Sequence, residues 1–428
     1  MQPDETLHDR TAPDHDIIIA GAGPAGASLA LALAPLPLRV ALVEARPLDQ
    51  PVPPGERSFA LSHASRRILE GIGVWPQLDA QRIGRIRRVH VSQGARPGRV
   101  RLDAHELGLA ALGYAVPEPL LAEALRQRLL ADPGLQLHAP ARLRAVHPGA
   151  AAIGAELADG TVLRARLLVA ADGAASPTRE ALGISATQRD LGGMALCASV
   201  RTSIPHDGLA YERFLDSGPI ALLPRAEAYW RNLIWVMPPG QAAAMRRVQP
   251  QTFLKVLGQR FGSRAGRFVE TSRPQAFALT ETQAAQVVAP RAVLIANAAH
   301  ALHPIGAQGL NLGLRDVAAL GELLAAAARQ GGPPGSAGHA GSFGDPGDPA
   351  LLARYARQRA GDWQRARQFT RIAPHLFESA DPERVALRSL ALAGLDLLAP
   401  LRRGFTRLAM GLGGGSHTPG RLERGLPL

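Results

Sequence analysis

Several residue types that mark common protein classes are almost missing from this 428-residue chain. Lys255 is its one lysine, Cys197 its one cysteine, and aromatic residues make up 4%. A single cysteine excludes an intrachain disulfide and a cysteine-based metal cluster. No uninterrupted apolar run reaches the roughly 18 residues of a membrane span. The acidic, polar start Met1–Glu5 lacks a secretory-signal pattern, so these absences favour a cytoplasmic protein.

Arginine carries nearly all of the positive charge, and the formal net charge is +12. A basic chain is typical of proteins that bind nucleic acid or an anionic membrane surface. The sequence has no helix-turn-helix or zinc-finger spacing and no basic patch interleaved with aromatics, so we expect no nucleic-acid partner. Part of the charge lies near the C-terminus, which leaves membrane contact open. With 46% hydrophobic residues, the chain has enough core for two to three structural units.

A glycine-rich turn near the N-terminus predicts a dinucleotide-binding βαβ unit. The strand Asp16–Ala20 precedes the turn, a helix of small residues follows it, and Arg39–Val43 is typical of a second strand. Gly21 allows the sharp bend, Gly23 lets the backbone approach a pyrophosphate, and Gly26 allows close packing of helix on strand. The helix N-terminus then faces the phosphates.

Two further residues belong to this predicted phosphate and ribose site. Ala25 lies at the start of the helix, and Glu44 closes the second strand. A carboxylate roughly 20 positions after the first glycine hydrogen-bonds a ribose hydroxyl and disfavours a 2′-phosphate. This element does not distinguish NAD from FAD.

A second glycine-rich element, which begins at Asn297 and leads into a helix over Leu310–Ala328, predicts which dinucleotide is bound. The loop residues assigned to the cofactor are Pro304, Gly309 and Asn311, and those whose backbone is expected at its reactive end are Gly306, Ala307 and Gln308. N–H groups at a helix start stabilise negative charge, such as that of a reduced flavin. Together the two elements predict one FAD molecule held at both ends.

His300 and His303 stand three positions apart in this second element. No carboxylate cluster accompanies them, so we expect no metal site. Packing near the flavin is the first interpretation of both residues. A proton-handling role, for which His303 is the candidate, is the alternative.

Three further segments resemble the flavoprotein aromatic hydroxylases, the class A single-component monooxygenases, and the resemblance covers nearly the whole chain. They are Glu56–Ser62 around Arg57, the pair Asp172-Gly173, and the pair Ala296-Asn297. The resemblance implies that Arg57 helps to position the flavin. It also implies that Asp172 and Gly173 lie near the pyrophosphate and that Asn297 holds the ribityl chain.

Within that family the details resemble the ubiquinone-biosynthesis branch. The pattern from Asn297 to Asp316, the segment Tyr211–Phe214 and the segment Gly218–Pro224 carry this resemblance. It implies hydroxylation of a polyprenylated phenol, of the 2-polyprenyl-6-methoxyphenol type, through a flavin C4a-hydroperoxide. The co-substrates would be O2 and NAD(P)H or an electron-donor protein. A complex of biosynthetic enzymes, a homo-oligomer, and a peripheral position on the inner membrane stay open.

Two other functions remain alternatives to this one. The chain could be an FAD-dependent hydroxylase of another aromatic substrate, or a related flavin reductase such as the geranylgeranyl reductases. A non-catalytic flavin-binding scaffold is a third interpretation.

The second element also departs from the family pattern. Ala296 replaces the usual glycine, and Gly306-Ala307 stands where Ala-Gly is usual. If the backbone at position 307 requires a positive φ, alanine there costs about 1 kcal/mol.

The substrate pocket and the C-terminus each leave two interpretations. Candidates for the pocket are Tyr211, Arg213, Phe214 and Pro224, and ordinary sheet packing is the alternative for each of them. The segment Leu387–Met410 mixes leucine with Arg402, Arg403 and Arg407. A basic amphipathic segment of this kind could dock on lipid. It could also pack on the body of the protein or form a dimer interface.

The sequence therefore predicts an α/β fold with a discontinuous Rossmann-like FAD domain, an inserted mixed-sheet substrate domain and a helical C-terminus. The ranges are 14–80, 105–185 and 286–330 for the FAD domain, 81–104 and 186–285 for the substrate domain, 331–350 for a flexible loop, and 351–428 for the helical C-terminal region.

Overall fold

The computed structural model describes residues 13–94, 96–302, 306, 308–330, 344–378, 381–412 and 419–428. Its strands are β1 His15–Ala20, β2 Val40–Val43, β3 Ser58–Ser62, β4 Gly84–Ile86, β5 Arg88–Gln93, β6 Arg99–Asp103, β7 Gly113–Pro117, β8 Leu135–His138, β9 Leu143–Pro148, β10 Ile153–Leu157, β11 Val162–Ala170, β12 Ala186–Thr202, β13 Leu209–Phe214, β14 Ile220–Pro224, β15 Trp230–Met237, β16 Phe268–Thr271, β17 Gln275–Ala284, β18 Val288–Ala289, β19 Ala292–Leu294 and β20 His300–Ala301. Its α-helices are α1 Pro24–Leu33, α2 His63–Gly71, α3 Glu118–Ala131, α4 Pro177–Ala181, α5 Pro239–Met245, α6 Pro250–Phe261, α7 Gln308–Gln330, α8 Pro349–Glu378, α9 Pro382–Leu397 and α10 Ala399–Ala409.

A largely parallel sheet forms the first layer, in the order β18-β19-β11-β1-β2-β8, with β10 and β9 joined through β11. Its central strands are apolar on both faces because helices α1, α3 and α7 cover one side and the β9–β10 segment covers the other. The predicted strands Asp16–Ala20 and Arg39–Val43 are confirmed as β1 and β2, which pair in parallel. Val162–Ala170 form one continuous strand, β11.

A larger mixed sheet forms the second layer, in the order β20-β17-β12-β15-β14-β13-β5-β6, with β16 beside β12. One face packs on α5 and α6 through Trp235, Phe253 and Phe261. The opposite face is turned toward the parallel sheet and the C-terminal helices. Strand β5 pairs in parallel with β13 and antiparallel with β6.

A small sheet, β3-β7-β4, connects the two layers. The strand β3 leads directly into the helix α2, which begins at His63. Ser62 caps that helix by accepting a hydrogen bond from Ser65 N at 3.1 Å. Strand β4 joins this small sheet, whereas β5 and β6 join the large one.

The C-terminal region contains the three helices α8, α9 and α10, and Pro400 lies in the first turn of α10. Of the predicted flexible loop, residues 331–343 lie outside the described residues. The remainder is anchored: Asp345 accepts from the Arg291 guanidinium at 2.9 Å, and Asp348 accepts from Ala350 N at 2.6 Å. No described helix combines the length and the apolar character needed to cross a membrane.

Candidate active site

One cavity of about 1880 Å³ connects the regions to which the sequence assigned function. Its walls are the carboxyl ends of β1 and β2, the start of α7, one face of the large sheet, and parts of α8, α9 and α10. Ligands of doubly wound sheets bind outside the carboxyl ends of the strands, which is where this cavity begins.

The three glycines of the N-terminal turn have three different environments. Gly21 has φ +101°, and a Cβ there would lie 2.7 Å from the Ala171 carbonyl oxygen. A Cβ on Gly26 would lie 1.9 Å from the Gly21 oxygen, so this glycine is required for packing. A Cβ on Gly23 would meet nothing within 4 Å, although Gly23 lines the cavity. The open space beside Gly23 is therefore available to a ligand.

The start of α1 borders that space. Ala25 lines the cavity, and no side chain caps the helix, since its N-cap residue is Gly23. Uncapped N–H groups at a helix start attract a phosphate. Glu44 lies beside them at the end of β2, where its carboxylate accepts from Ala22 N at 2.7 Å and from Arg46 N at 2.9 Å. These bonds fix the carboxylate at the cavity wall.

The pair Asp172 and Gly173 follows β11 on the other side of the turn. The Asp172 carboxylate accepts from Thr178 N at 2.9 Å and from the Ser176 hydroxyl, so it holds the start of α4. Gly173 has φ +91° with nothing within 4 Å of the Cβ position. The side chain of Asp172 is thus committed to the protein, and the exposed feature at the cavity is the backbone at Gly173.

The start of α7 forms another part of the wall. Gly306 has φ +68°, Gln308 Nε2 donates to the Gly306 oxygen at 3.2 Å, and the Cβ position of Gly309 faces open space. Asn311 accepts from Ser62 N at 2.8 Å and donates to the Ala60 oxygen at 2.8 Å. It therefore joins α7 to β3. The predicted residues His303, Pro304 and Ala307 lie outside the described residues.

Asn297 is exposed to the cavity from a short 3₁₀ turn, Ala296–Ala298. Ala296 has φ +52°, in the left-handed region where the family has glycine. Asp316 of α7 fixes this turn: its carboxylate accepts a hydrogen bond from Ala296 N at 3.0 Å and another from His300 Nε2 at 2.8 Å.

Asp316, which the sequence analysis did not assign to the site, joins this turn to α8. It is fully buried, and its second oxygen accepts from Arg359 Nε at 2.8 Å and from Trp363 Nε1 at 2.9 Å, both on α8. Burial alone would raise the pKa of Asp316, but the charges and hydrogen bonds of His300 and Arg359 outweigh it and hold that pKa well below its usual range. The available signal was its position at the end of the pattern from Asn297 to Asp316 that carries the family resemblance.

Arg57 lines the cavity where the small and large sheets meet. Its guanidinium lies 3.2 Å from the Glu118 carboxylate and 5.1 Å from the centre of the Phe277 ring. Half of its side chain is exposed, so the guanidinium can reach a ligand in the cavity.

The predicted pocket residues divide between the two faces of the large sheet. Phe214 faces the cavity, where it stacks on Phe377 at 3.8 Å between ring centres. Tyr211 borders the cavity, but its ring packs on the α6 side and its hydroxyl donates to the Arg264 oxygen at 2.9 Å. Arg213 lies on that same side, and neither Arg213 nor Pro224 lines the cavity.

Successive side chains of β13 point to opposite faces of the sheet, so the residue between Tyr211 and Arg213 lies on the cavity face. Glu212 lines the cavity, and the sequence-based pocket left it out. The period of two along β13 was the signal, because it places residues 210, 212 and 214 together.

These walls fit an FAD molecule. A glycine turn with open space at a helix start suits a pyrophosphate, and Glu44 suits a ribose hydroxyl. The open positions at Gly173 and Gly309 and the start of α7 continue the same cavity toward the large sheet.

The comparisons with known proteins agree with this fit. Residues 14–336 match the FAD binding domain family, which makes the protein a flavoprotein. The chain is 34% identical to ubiquinone hydroxylase UbiL of Rhodospirillum rubrum over 96% of this chain and 93% of that protein. It is 33% identical to 3-demethoxyubiquinol 3-hydroxylase of Escherichia coli over 74% of this chain and 81% of that protein.

The structure of p-nitrophenol 4-monooxygenase PnpA from Pseudomonas putida aligns with a TM-score of 0.73 at 17% identity, over 95% of this chain and all of that one, and shows the shared fold. The chain belongs to the family of FAD-dependent monooxygenases that contains the ubiquinone-biosynthesis hydroxylases. The predicted cofactor, enzyme class and fold class are confirmed.

Proposed function

We propose that this monooxygenase hydroxylates the aromatic ring of a polyprenylated phenol of the 2-polyprenyl-6-methoxyphenol type. The observation that carries the proposal is the wall of the cavity beyond the FAD-binding residues. It is formed by small and aliphatic side chains of the large sheet, including Val91, Val100, Ala210 and Leu223, and continues onto α9 at Leu392. A wall of this length and composition suits a phenol that carries an isoprenoid tail.

Bound FAD supplies the activation of O2 for transfer of one oxygen atom to the ring. The chain's own residues bind and arrange the reactants. Backbone N–H groups at the start of α7 stabilise negative charge, and the apolar sheet face excludes water. Arg57 is held by Glu118 at the junction of the sheets, from which it orients the cofactor. The reductant is NAD(P)H or an electron-donor protein.

We also propose that the C-terminal helices dock on a membrane surface. On α9, Leu387, Leu390 and Leu397 are 68%, 71% and 79% exposed and share one helix face, and Leu401 and Leu408 continue the patch on α10. Arg403 and Arg407 are exposed beside them, whereas Arg402 is paired with Glu106 at 2.9 Å. Leucines flanked by arginines match an interfacial helix. Phe369, Ile372 and Leu408 line the cavity and are exposed, so the cavity reaches the surface beside this patch.

The proposed activity is tested with purified FAD-loaded protein, NAD(P)H or a reduced donor protein, and a short-tailed 2-polyprenyl-6-methoxyphenol. We expect one added oxygen in the product by mass spectrometry, incorporated from ¹⁸O2, and no product without oxygen. Turnover that needs no oxygen would instead identify a flavin reductase. Oxidation of the reductant without any product from several phenols would contradict the proposal.

The ring position is tested in cells. Strains that each lack one ring-hydroxylation step are complemented with this chain, and their quinone intermediates are identified by mass spectrometry. Rescue of a single strain assigns the carbon, and rescue of none would exclude a role in this pathway.

A further inference from the structure

Glu212 occupies the middle of a continuous row across the cavity face of the large sheet. Strand register places Val100, Val91, Glu212, Ala221, Ile234 and Cys197 side by side on β6, β5, β13, β14, β15 and β12. All six line the cavity. Glu212 carries the one carboxyl group in this row, whose other members have aliphatic side chains or, at Cys197, a thiol. Its immediate neighbours along β13 on this face are Ala210 and Phe214.

Small neighbours leave space above the carboxyl group. Ala210 precedes it by two residues on the same face, and Ala221 lies directly beside it on β14. On the far side, the Phe214–Phe377 stack closes the space. A planar ring placed between Phe214 and the two alanines would therefore bring a substituent to the carboxyl group of Glu212.

The other charged and titratable groups of the cavity lie farther along its walls. Arg57 and Glu118 face Cys197 at one end of the row, whereas Arg388 of α9 lies over the Phe377 ring, on the Phe214 side of Glu212. His90, Tyr211 and Arg213 belong to the opposite face of the sheet. Among the described residues, none donates a hydrogen bond to Glu212.

The Glu212 side chain is half-buried. A ligand that fills the cavity would remove its remaining water, which is costly for a carboxyl group unless the ligand itself bonds to it. Burial raises the pKa of Glu212 to about 7, and no other group contributes to that shift. The group therefore exchanges its proton near neutral pH.

We propose that Glu212 is the catalytic residue that accepts the proton of the substrate's phenol hydroxyl. This rests on the proposed function above. The phenol O–H bond breaks, its proton goes to a Glu212 oxygen, and the electron pair stays on the phenol oxygen. The ring thereby becomes more electron-rich at the positions ortho and para to that oxygen, where the new C–O bond forms. The proton returns to solvent as the product leaves.

The test compares Glu212→Gln with the wild type and with Glu270→Gln, a control on the same sheet whose carboxylate is exposed and outside the cavity. For Glu212→Gln we expect a loss of 10²–10⁴-fold in kcat/KM for hydroxylation, the usual share of a general base. In the wild type this constant should rise with pH through about 7. The variant should lose that rise, and Glu212→Asp should keep it.

A second substrate separates proton transfer from a structural role. A fluorinated analogue whose hydroxyl is already ionised at the assay pH should narrow the gap between wild type and Glu212→Gln to a few-fold. The variant should keep its FAD content and unfold no earlier than the wild type. A carboxyl group whose pKa is raised by folding lowers the stability of the folded protein as pH rises from the pKa of the unfolded chain toward 7. An amide does not ionise, so the variant avoids that loss.

Two results would overturn the assignment. One is a Glu212→Gln enzyme with wild-type rate and pH profile, and the other is an equal loss on the ionised and neutral substrates. Absence of any hydroxylated product from the wild type would overturn the proposed function itself, and with it this role of Glu212.

Discussion

Ala296 adopts a backbone conformation that L side chains rarely adopt, directly before the residue expected to hold the ribityl chain. Its φ of +52° costs roughly 1–2 kcal/mol for alanine. Its methyl group also fills the space above Gly313, where a Cβ would come within 2.7 Å of it. The chain therefore combines a strained alanine with a glycine that makes room for it.

Replacing Ala296 by glycine should release that strain while losing one buried methyl group, worth about 0.8 kcal/mol. We expect Ala296→Gly to change the free energy of unfolding by less than about 0.5 kcal/mol and to retain FAD. Ala299 is a matched control, because it is equally buried but has a right-handed helical conformation. Ala299→Gly should cost about 1–2 kcal/mol. Urea denaturation measures both; equal losses would show that Ala296 carries no strain.

At this scale the sequence predicted backbone features better than side-chain roles. The turn at Gly21 and Gly26 could be predicted because the backbone conformation of Gly21 and the close packing at Gly26 leave no room for a side chain. Asp172 and Asn311 could not be assigned as securely, since a carboxylate or amide at a motif position binds either a cofactor or the neighbouring backbone. In the structure both are bonded to backbone. Glu212 carries no motif of its own, and only the alternation along β13 places it on the cavity face.

At the scale of elements, α7 and α8 are joined to the Ala296–Ala298 turn by one buried carboxylate. Asp316 accepts hydrogen bonds from the turn and from two side chains of α8. Asp316→Asn removes one of the two carboxylates that pair with the buried Arg359, the other being Asp362, and loss of one partner of a buried pair costs up to about 3–5 kcal/mol. We expect a fall in stability of that order and faster release of FAD, measured by flavin fluorescence during denaturation.

The same carboxylate predicts part of the response to acid. Its pKa is depressed in the folded protein, so the stabilisation it gives is present above its unfolded value and is lost as pH falls below about 4. Asp316→Asn should therefore flatten the acid limb of the stability curve. The corresponding change at Asp381, an exposed helix cap, serves as control. Identical acid limbs in wild type and Asp316→Asn would contradict this.

Element prediction succeeded where periodicity was local and failed where long-range contacts decide. The buried strands β1 and β2 were identified from their apolar runs. The segment 58–62 lies directly before α2 in the chain, yet pairing with β7 makes it a strand. Likewise, the assignment of β4 to the small sheet depends on register with β7, which no local pattern reports.

At the scale of the whole molecule, the exposed leucines of α9 and α10 predict adsorption to lipid. Leu390→Glu combined with Leu397→Glu should lower partitioning onto anionic vesicles at least tenfold, since each buried leucine contributes about 1.5–3 kcal/mol. Leu130→Glu, an exposed leucine on α3 away from this patch, is the control. Co-sedimentation at low and high salt also tests the arginines, whose contribution is screened. Equal binding of all three proteins would contradict membrane docking.

The row of side chains across the large sheet sets a length. From Val100 to Cys197 it crosses five inter-strand spacings, or about 24 Å at ~4.8 Å each. Beyond β6 the wall passes to helices at the surface of the protein. A prenylated ligand in this cavity would contact the wall with its head group and its first isoprene units. The rest of the tail would lie outside the protein and make no contact with it. We therefore expect this enzyme to accept phenols whose isoprenoid tails differ in length.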